Sequence, residues 1–225
     1  MEFILDTANI EEIRRYAAVY PILGVTSNPS IVKKEGKISF FDHFKEIRKI
    51  IGEDKSLHIQ VTAADAETMV REGKTLLEKV DEKVFVKVPV TEQGLKAIKM
   101  LKEMDISVTA TAIYTKIQGY MAMECGADYL APYYNRMENM DIDAFHTIHS
   151  LACQIDRWHY NTKIVAASFK NMGQVNMALE AGAHAVTVQP ELFHTAFSMR
   201  AIGKAVDDFQ KDWKRIYGEK NITQL

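Results

Sequence analysis

Lys87 stands where an apolar strand should carry no charge: it follows Val84, Phe85 and Val86 and precedes Val88. A lysine is almost never fully buried unless it is paired or functional. Burial among apolar neighbours disfavours the ammonium form of such a side chain and supplies a neutral amine. A neutral amine attacks ketones, and the resulting iminium is an electron sink through which the adjacent carbon–carbon bond breaks or forms. This Schiff-base, aldolase-type chemistry needs groups that move protons on and off the carbinolamine and the substrate hydroxyls. Tyr133, Asp6, and a water held by Gln60 and Thr111 are the groups available.

Arg136 follows the apolar run Tyr129 to Pro132, and Ser168 with Lys170 follows Lys163 to Ala167, just before a helical stretch that starts near Asn171. A guanidinium, a hydroxyl and the N–H groups of a helix start suit a phosphate. For Lys170 a solvated charge is the simpler account, so Arg136 is the stronger candidate. A metal-dependent aldolase or isomerase is the competing enzyme class, and its only candidate ligand pair is His146 with His149. Three residues apart in a helical stretch, these histidines read more simply as one exposed face. No metal and no cofactor is expected.

The elements that must position these residues are legible in the hydrophobic pattern. Short apolar runs rich in β-branched residues recur at Glu2 to Asp6, Gly24 to Thr26, His58 to Thr62, Val84 to Val88, Ser107 to Ala112, Tyr129 to Pro132, Lys163 to Ala167 and Ala185 to Val188. A stretch of helical length and period follows each. Asn9 with Glu12 forms a capping pair, Pro29 and Ser30 open the second helical stretch, and Gly126 and Gly182 stand where helices stop before the next strand. Alternating strands and helices demand parallel pairing with right-handed crossovers, and eight such units are what closing a (β/α)8 TIM barrel requires. An open doubly wound sheet is the alternative architecture. The absence of GxGxxG and GxxxxGK[ST] stretches weighs against its nucleotide-binding forms. The whole chain, residues 1–225, is expected to be a single barrel domain with an extra C-terminal helix over 201–218. Val206, Phe209, Trp213, Ile216 and Tyr217 fall on one face of that helix and Gly218 stops it. On the residues alone, its own barrel and a neighbouring subunit are equally open as the surface that covers this face.

Strands covered on both sides should be continuously apolar, yet several here alternate. His58, Gln60 and Thr62 share one face of the third strand, while Ser107, Thr109 and Thr111 share one face of the fifth. An outward strand residue of a barrel meets the helix layer, where polarity is no more welcome than inside. These faces are therefore expected to converge in the lumen, with Asp6, Gln60, Lys87 and Thr111 toward the C-terminal strand ends where sites of this fold assemble. Taken singly, Gln60 or Thr109 is more simply a satisfied buried polar group.

Composition narrows the partners. Lysine plus arginine number 28 against 30 acidic residues, and neither sign is blocked into a run suited to nucleic acid or an anionic membrane. A small molecule is the expected partner. Cys125 and Cys153 are far apart and carry no metal-ligand spacing, which fits a reduced cytoplasmic setting. The chain opens on an apolar strand-like run without a basic leader, so neither export nor a membrane span is expected.

LDTAN at 5–9, GVTSNPS at 24–30, VKVPVTEQGLKAIK at 86–99, TATAIY at 109–114, APYYNR at 131–136 and AASFK at 166–170 occur in this order. At these segments, and over essentially its whole length, the chain resembles the transaldolase family and specifically its short fructose-6-phosphate aldolase branch. The resemblance implies a (β/α)8 barrel in which Lys87 forms the Schiff base, surrounded by Asp6, Thr26, Asn28, Gln60, Thr111 and Tyr133, with Arg136 and Ser168 at phosphate-binding positions. It implies cleavage or formation of fructose 6-phosphate from dihydroxyacetone and glyceraldehyde 3-phosphate. Transaldolases instead pass the dihydroxyacetone unit to a second sugar phosphate. They place Glu and Phe where this chain has Gln60 and Tyr133, and the Gln with Tyr pair is that of the aldolase branch. The resemblance also implies a ring-like homo-oligomer, such as a decamer, in which the C-terminal helix reaches a neighbour. Departures are Ser27 and Tyr134 in place of Thr and Val, MENMDID at 137–143 in place of a Gly-rich loop, and Gln189 where an apolar residue is usual. A non-catalytic sugar-phosphate binding protein on the same barrel is the alternative of another class.

Overall fold

The computed structural model describes residues 1–225. Eight parallel strands pair in sequence order and close on themselves, so the protein is a (β/α)8 barrel. They are β1 (Glu2–Asp6), β2 (Ile22–Thr26), β3 (Ser56–Gln60), β4 (Phe85–Pro89), β5 (Val108–Ile113), β6 (Tyr129–Pro132), β7 (Lys163–Ala166) and β8 (Ala185–Val188). Between them lie α1 (Ile10–Ala17), α2 (Pro29–Val32), a 3-10 turn (Lys33–Glu35), α3 (Phe40–Ile51), α4 (Ala66–Lys79), α5 (Glu92–Lys102), α6 (Lys116–Glu124), α7 (Tyr134–Glu138), α8 (Ala144–Trp158) and α9 (Met172–Glu180). After β8 come α10 (Pro190–Phe197) and α11 (Arg200–Tyr217). Contacts within the chain cluster into two units, Met1–Pro190, which holds the barrel, and Glu191–Leu225.

Helices start where a short polar side chain can take up a free N–H. Asn9, Asp65, Thr91, Asp143 and Asn171 each accept a hydrogen bond from the backbone three residues on. Four strand-to-helix loops and the turn from α7 to α8 are thereby held at their exits, on the face where a barrel builds its site. Gly94 sets how closely α5 can follow β4: a Cβ there would come within 1.8 Å of the Pro89 carbonyl oxygen. Any other residue would push α5 away from the strand that carries Lys87.

The third strand runs Ser56–Gln60, two residues earlier than the alternation of His58, Gln60 and Thr62 suggests. The physical reason is Glu72, whose carboxylate accepts from the Thr62 N–H at 2.6 Å, the Thr62 hydroxyl at 2.8 Å and the Ala63 N–H at 3.1 Å. These bonds draw the chain out of the ladder after Val61. The remaining strands begin or end within one or two residues of their expected limits.

Side-chain contacts between strands that are not neighbours identify the lumen. His58 of β3 bonds Thr109 of β5, Tyr129 of β6 bonds Glu2 of β1, and Thr26 of β2 bonds Thr187 of β8. Its N-terminal half is filled by Ile4, Phe85, Tyr129, Ala131, Val165 and Ala185. His58 packs into the same layer, 4.7 Å from the Phe85 ring and 5.2 Å from that of Tyr129. Glu2 closes the bottom, accepting from the Tyr129 hydroxyl and from Lys163. A cavity of about 370 Å3 opens at this end beside Glu2, Phe85, Tyr129 and Lys163, and a separate one opens at the C-terminal end of the lumen.

In the second unit α11 ends at Gly218, whose φ of 63° lets its N–H return to the Lys214 carbonyl. Val206, Phe209, Ile216 and Tyr217 are exposed, and the Trp213 indole donates to the Lys220 carbonyl. No helix is long and apolar enough to cross a membrane.

Candidate active site

β4 carries Lys87 into the C-terminal half of the lumen, where only 1 % of it is exposed. Val86 and Val88, its neighbours along the strand, face the other way and are fully buried, by the two-residue period of a strand. Registered beside Lys87 are Gln60 on β3 and Thr109 on β5. Partners in parallel register share a face, so Gln60, Lys87 and Thr109 lie on one face of the sheet, whereas Thr62, expected with them, leaves the strand and bonds Glu72 of α4.

Asp6 ends β1 and accepts a 2.8 Å hydrogen bond from the Thr26 hydroxyl. Thr187 in turn bonds Thr26 at 2.6 Å. Burial pushes the Asp6 carboxyl above the usual carboxylate range, opposed by the positive charge of Lys87, the Thr26 bond, and the fields of Lys34 and Arg136. Tyr133, the residue after β6, is buried and borders the same cavity as Asp6. Its phenol oxygen accepts from Thr111 at 3.0 Å, which leaves its own proton free for another partner. Thr111 is followed by Ala112 at φ 58°, where the β5–β6 register shifts. This bulge turns the end of β5 toward Tyr133.

Asp6, Asn28, Lys87, Tyr133, Arg136 and Ser168 open on one cavity of about 320 Å3. Thr26 and Thr111 stand behind Asp6 and Tyr133 rather than on its wall. Gln60 lies beside Lys87 in register and borders two adjacent cavities next to Phe40. Its Oε1 is buried without a hydrogen-bond partner. Asn28 has a second duty, accepting from the Ile31 N–H to start α2.

On the β6 and β7 side, Arg136 lies 4.7 Å over the Tyr133 ring and reaches the Tyr114 hydroxyl at 3.4 Å. Ser168 takes φ 64°, a conformation with a cost for any residue but glycine. Its carbonyl is fixed by the Asn135 N–H at 2.9 Å, and Gln174 ties the same loops together by donating to Asn135 and accepting from the Lys170 N–H. The Ser168 backbone is thus locked by its neighbours, as a binding loop needs to be.

Lys170 also lines the cavity, although as a lone surface cation it had the weaker claim. Sequence reasoning passed over Lys34, Asn135 and Asn139, and met Gln189 only as a departure; all four line the same wall. The signal for Lys34 was its place, four residues beyond Ser30, in a loop after a barrel strand. His146 and His149 are on α8, outside the barrel; His146 is paired with Asp143 and His149 is near Cys153. A buried amine, a carboxyl and a phenol around one cavity, with a cationic rim above, can hold a phosphorylated carbonyl compound and exchange protons with it.

Two comparisons bear on this arrangement. Residues 3–221 match the family model described as Transaldolase/Fructose-6-phosphate aldolase. The chain is also 52 % identical over 222 residues, 99 % of its length and 100 % of the relative's, to a probable fructose-6-phosphate aldolase of Streptococcus pneumoniae.

Proposed function

This chain belongs to the transaldolase/fructose-6-phosphate aldolase family, and on that premise we propose that it is a class I aldolase that cleaves or forms fructose 6-phosphate through a Schiff base on Lys87. The observation that carries the proposal is the burial of Lys87 in a barrel strand with its side chain opening on the cavity that Asp6 and Tyr133 also border.

The Lys87 amine adds to the C2 ketone, and loss of water gives the iminium. Removal of the C4 hydroxyl proton breaks the C3–C4 bond, releases glyceraldehyde 3-phosphate and leaves the electron pair in an enamine. Protonation at C3 and addition of water to the iminium then release dihydroxyacetone and restore the amine. Asp6 and Tyr133 are the groups placed to move these protons. Tyr133 keeps its proton available because Thr111 donates to it. Gln60, registered beside Lys87 and with an unpartnered Oε1, is the residue assigned to the water that ends the cycle. Arg136 and Ser168 hold the phosphate.

A transaldolase, which keeps the enamine for a second aldose phosphate, shares every step up to cleavage. The Tyr133 phenol with Gln60 favours the hydrolytic outcome, because a phenol supplies an acid that a phenylalanine lacks. The protein is incubated with fructose 6-phosphate and no acceptor aldose, and glyceraldehyde 3-phosphate is measured. Its steady release supports the aldolase, while a strict need for an acceptor overturns it. Borohydride added with dihydroxyacetone must raise the protein mass by one reduced adduct, lost in Lys87→Met; an unchanged mass would leave a binding protein without turnover.

The proposal extends to assembly in the cytoplasm as a homo-oligomer. The face of α11 that includes Phe209 and Ile216, exposed at 72 % and 73 %, is the surface offered to a neighbouring copy.

A further inference from the structure

The cavity above Lys87 has an excess of positive charge on its rim. Lys34, Arg136 and Lys170 all line it, and none of the three has a carboxylate partner, whereas lysines and arginines across the rest of the surface form ion pairs repeatedly. Asp6 is the only acidic residue on the wall. Arg136 and Lys170 follow adjacent strands, β6 and β7. Lys34 follows β2, four strands away from β6 in a closed barrel of eight, and so comes from the opposite side of the mouth.

The turn that carries Lys34 is anchored. Its neighbour Glu35 accepts from the Asn9 side chain at 3.1 Å, the Gly36 N–H closes on the Lys33 carbonyl, and Asn28 caps the short helix just before it. Glu35, the nearest carboxylate along the chain, is bonded to Asn9 and forms no ion pair with Lys34. Its charge is also felt by Asp6 inside the barrel.

We propose that Lys34 is a specificity-determining residue that contacts the phosphate of the aldehyde half of the substrate from the side opposite Arg136 and Lys170. The proposal rests on the aldolase function above. Carbon 2 is held at the lumen floor by Lys87, and the chain from carbon 3 onward extends to the mouth, where the three cations stand. Lys34, Arg136 and Lys170 put the positive charge of the mouth where a phosphate, which carries about −1.5 to −2 charges near pH 7, would stand.

The test compares glyceraldehyde 3-phosphate with unphosphorylated glyceraldehyde as partners for dihydroxyacetone, in the full chain and in Lys34→Ala and Lys34→Arg. In Lys34→Ala the preference for the phosphorylated aldehyde, as the ratio of the two kcat/KM values, should fall about tenfold through KM, the size of one charge-assisted contact at a wet rim. Lys34→Arg should restore most of it. An unchanged ratio, or an equal fall for both aldehydes, overturns the assignment. Borohydride trapping of dihydroxyacetone reports separately on the Schiff base. If trapping fails in the unaltered protein, the aldolase reading has failed, and calorimetric titration with inorganic phosphate still decides on Lys34: weaker binding in Lys34→Ala supports it, equal binding overturns it.

Discussion

The Thr111 hydroxyl donates to the phenol oxygen of Tyr133 across 3.0 Å inside the barrel. In the proposed reaction Thr111 would orient the phenol and Tyr133 would supply the proton. Tyr133→Phe removes that proton and should lower acceptor-free cleavage of fructose 6-phosphate by about 10²–10⁴-fold, the usual worth of a positioned acid. Schiff-base formation should persist. Thr111→Val keeps the phenol but frees its orientation, so its loss should be smaller; a Thr111→Val loss equal to that of Tyr133→Phe would contradict the division of roles.

In the proposed reaction Asp6 would trade stability for function. Its carboxyl is raised chiefly by burial, so the folded protein holds this proton more tightly than the unfolded chain. Stability from this group is then fully present below the unfolded value of about 3.9 and is lost as pH rises through the folded one. Asp6→Asn should raise the Tm near neutral pH, by about 2–4 °C per kcal/mol recovered, and the gain should vanish toward pH 4. Cleavage activity should fall. Thermal denaturation of both proteins across this range is the check, and a lower Tm for Asp6→Asn at neutral pH would refute it.

His58 predicts the opposite pH dependence. Burial first, then the charges of Lys87 and Arg48, lower its pKa to about 3, so the ring is neutral in the fold. A depressed folded value means stability that is present above the unfolded pKa of about 6.5 and declines as pH falls toward the folded one, by up to about 1.4 kcal/mol per pH unit. Urea unfolding at pH 7, 6 and 5 should show this decline in the unaltered protein and a flatter profile in His58→Asn.

Arg136 stacks on Tyr133 and stands at the rim. Arg136→Ala should raise the KM for fructose 6-phosphate by about ten- to a hundredfold, as expected for loss of a charged contact. Arg136→Lys should recover only part, because an ammonium lacks the planar fork. Steady-state kinetics in low salt give the clearest reading, since rim charges are screened as ionic strength rises.

The exposed face of α11 predicts self-association. Phe209→Asp with Ile216→Asp places charge where a neighbouring copy would bury apolar side chains. Sedimentation should show a smaller species than the unaltered protein. If both sediment alike, α11 does not hold the assembly together.

What the sequence by itself determined was local. Strand and helix periods, the capping residue Asn9, the helix start near Asn171 and the helix stop at Gly218 depend on short-range geometry, and they sufficed for an eight-unit barrel with Lys87 in its fourth strand. The alternation in β3 and β5 also showed which polar side chains share a face. Strand ends were less legible: the close of β3 depends on Glu72, ten residues beyond Thr62. Tertiary structure alone decided the pairings across the barrel, because closure brings together residues such as Thr26 and Thr187, separated by 161 positions, that no periodicity relates. It also decided the charge of the site. Lys34 and Lys170 look like ordinary surface lysines in sequence, and only the closed mouth puts them on one wall with Arg136 and Asp6. A motif can name the nucleophile, but the excess charge facing it is a property of convergent loops.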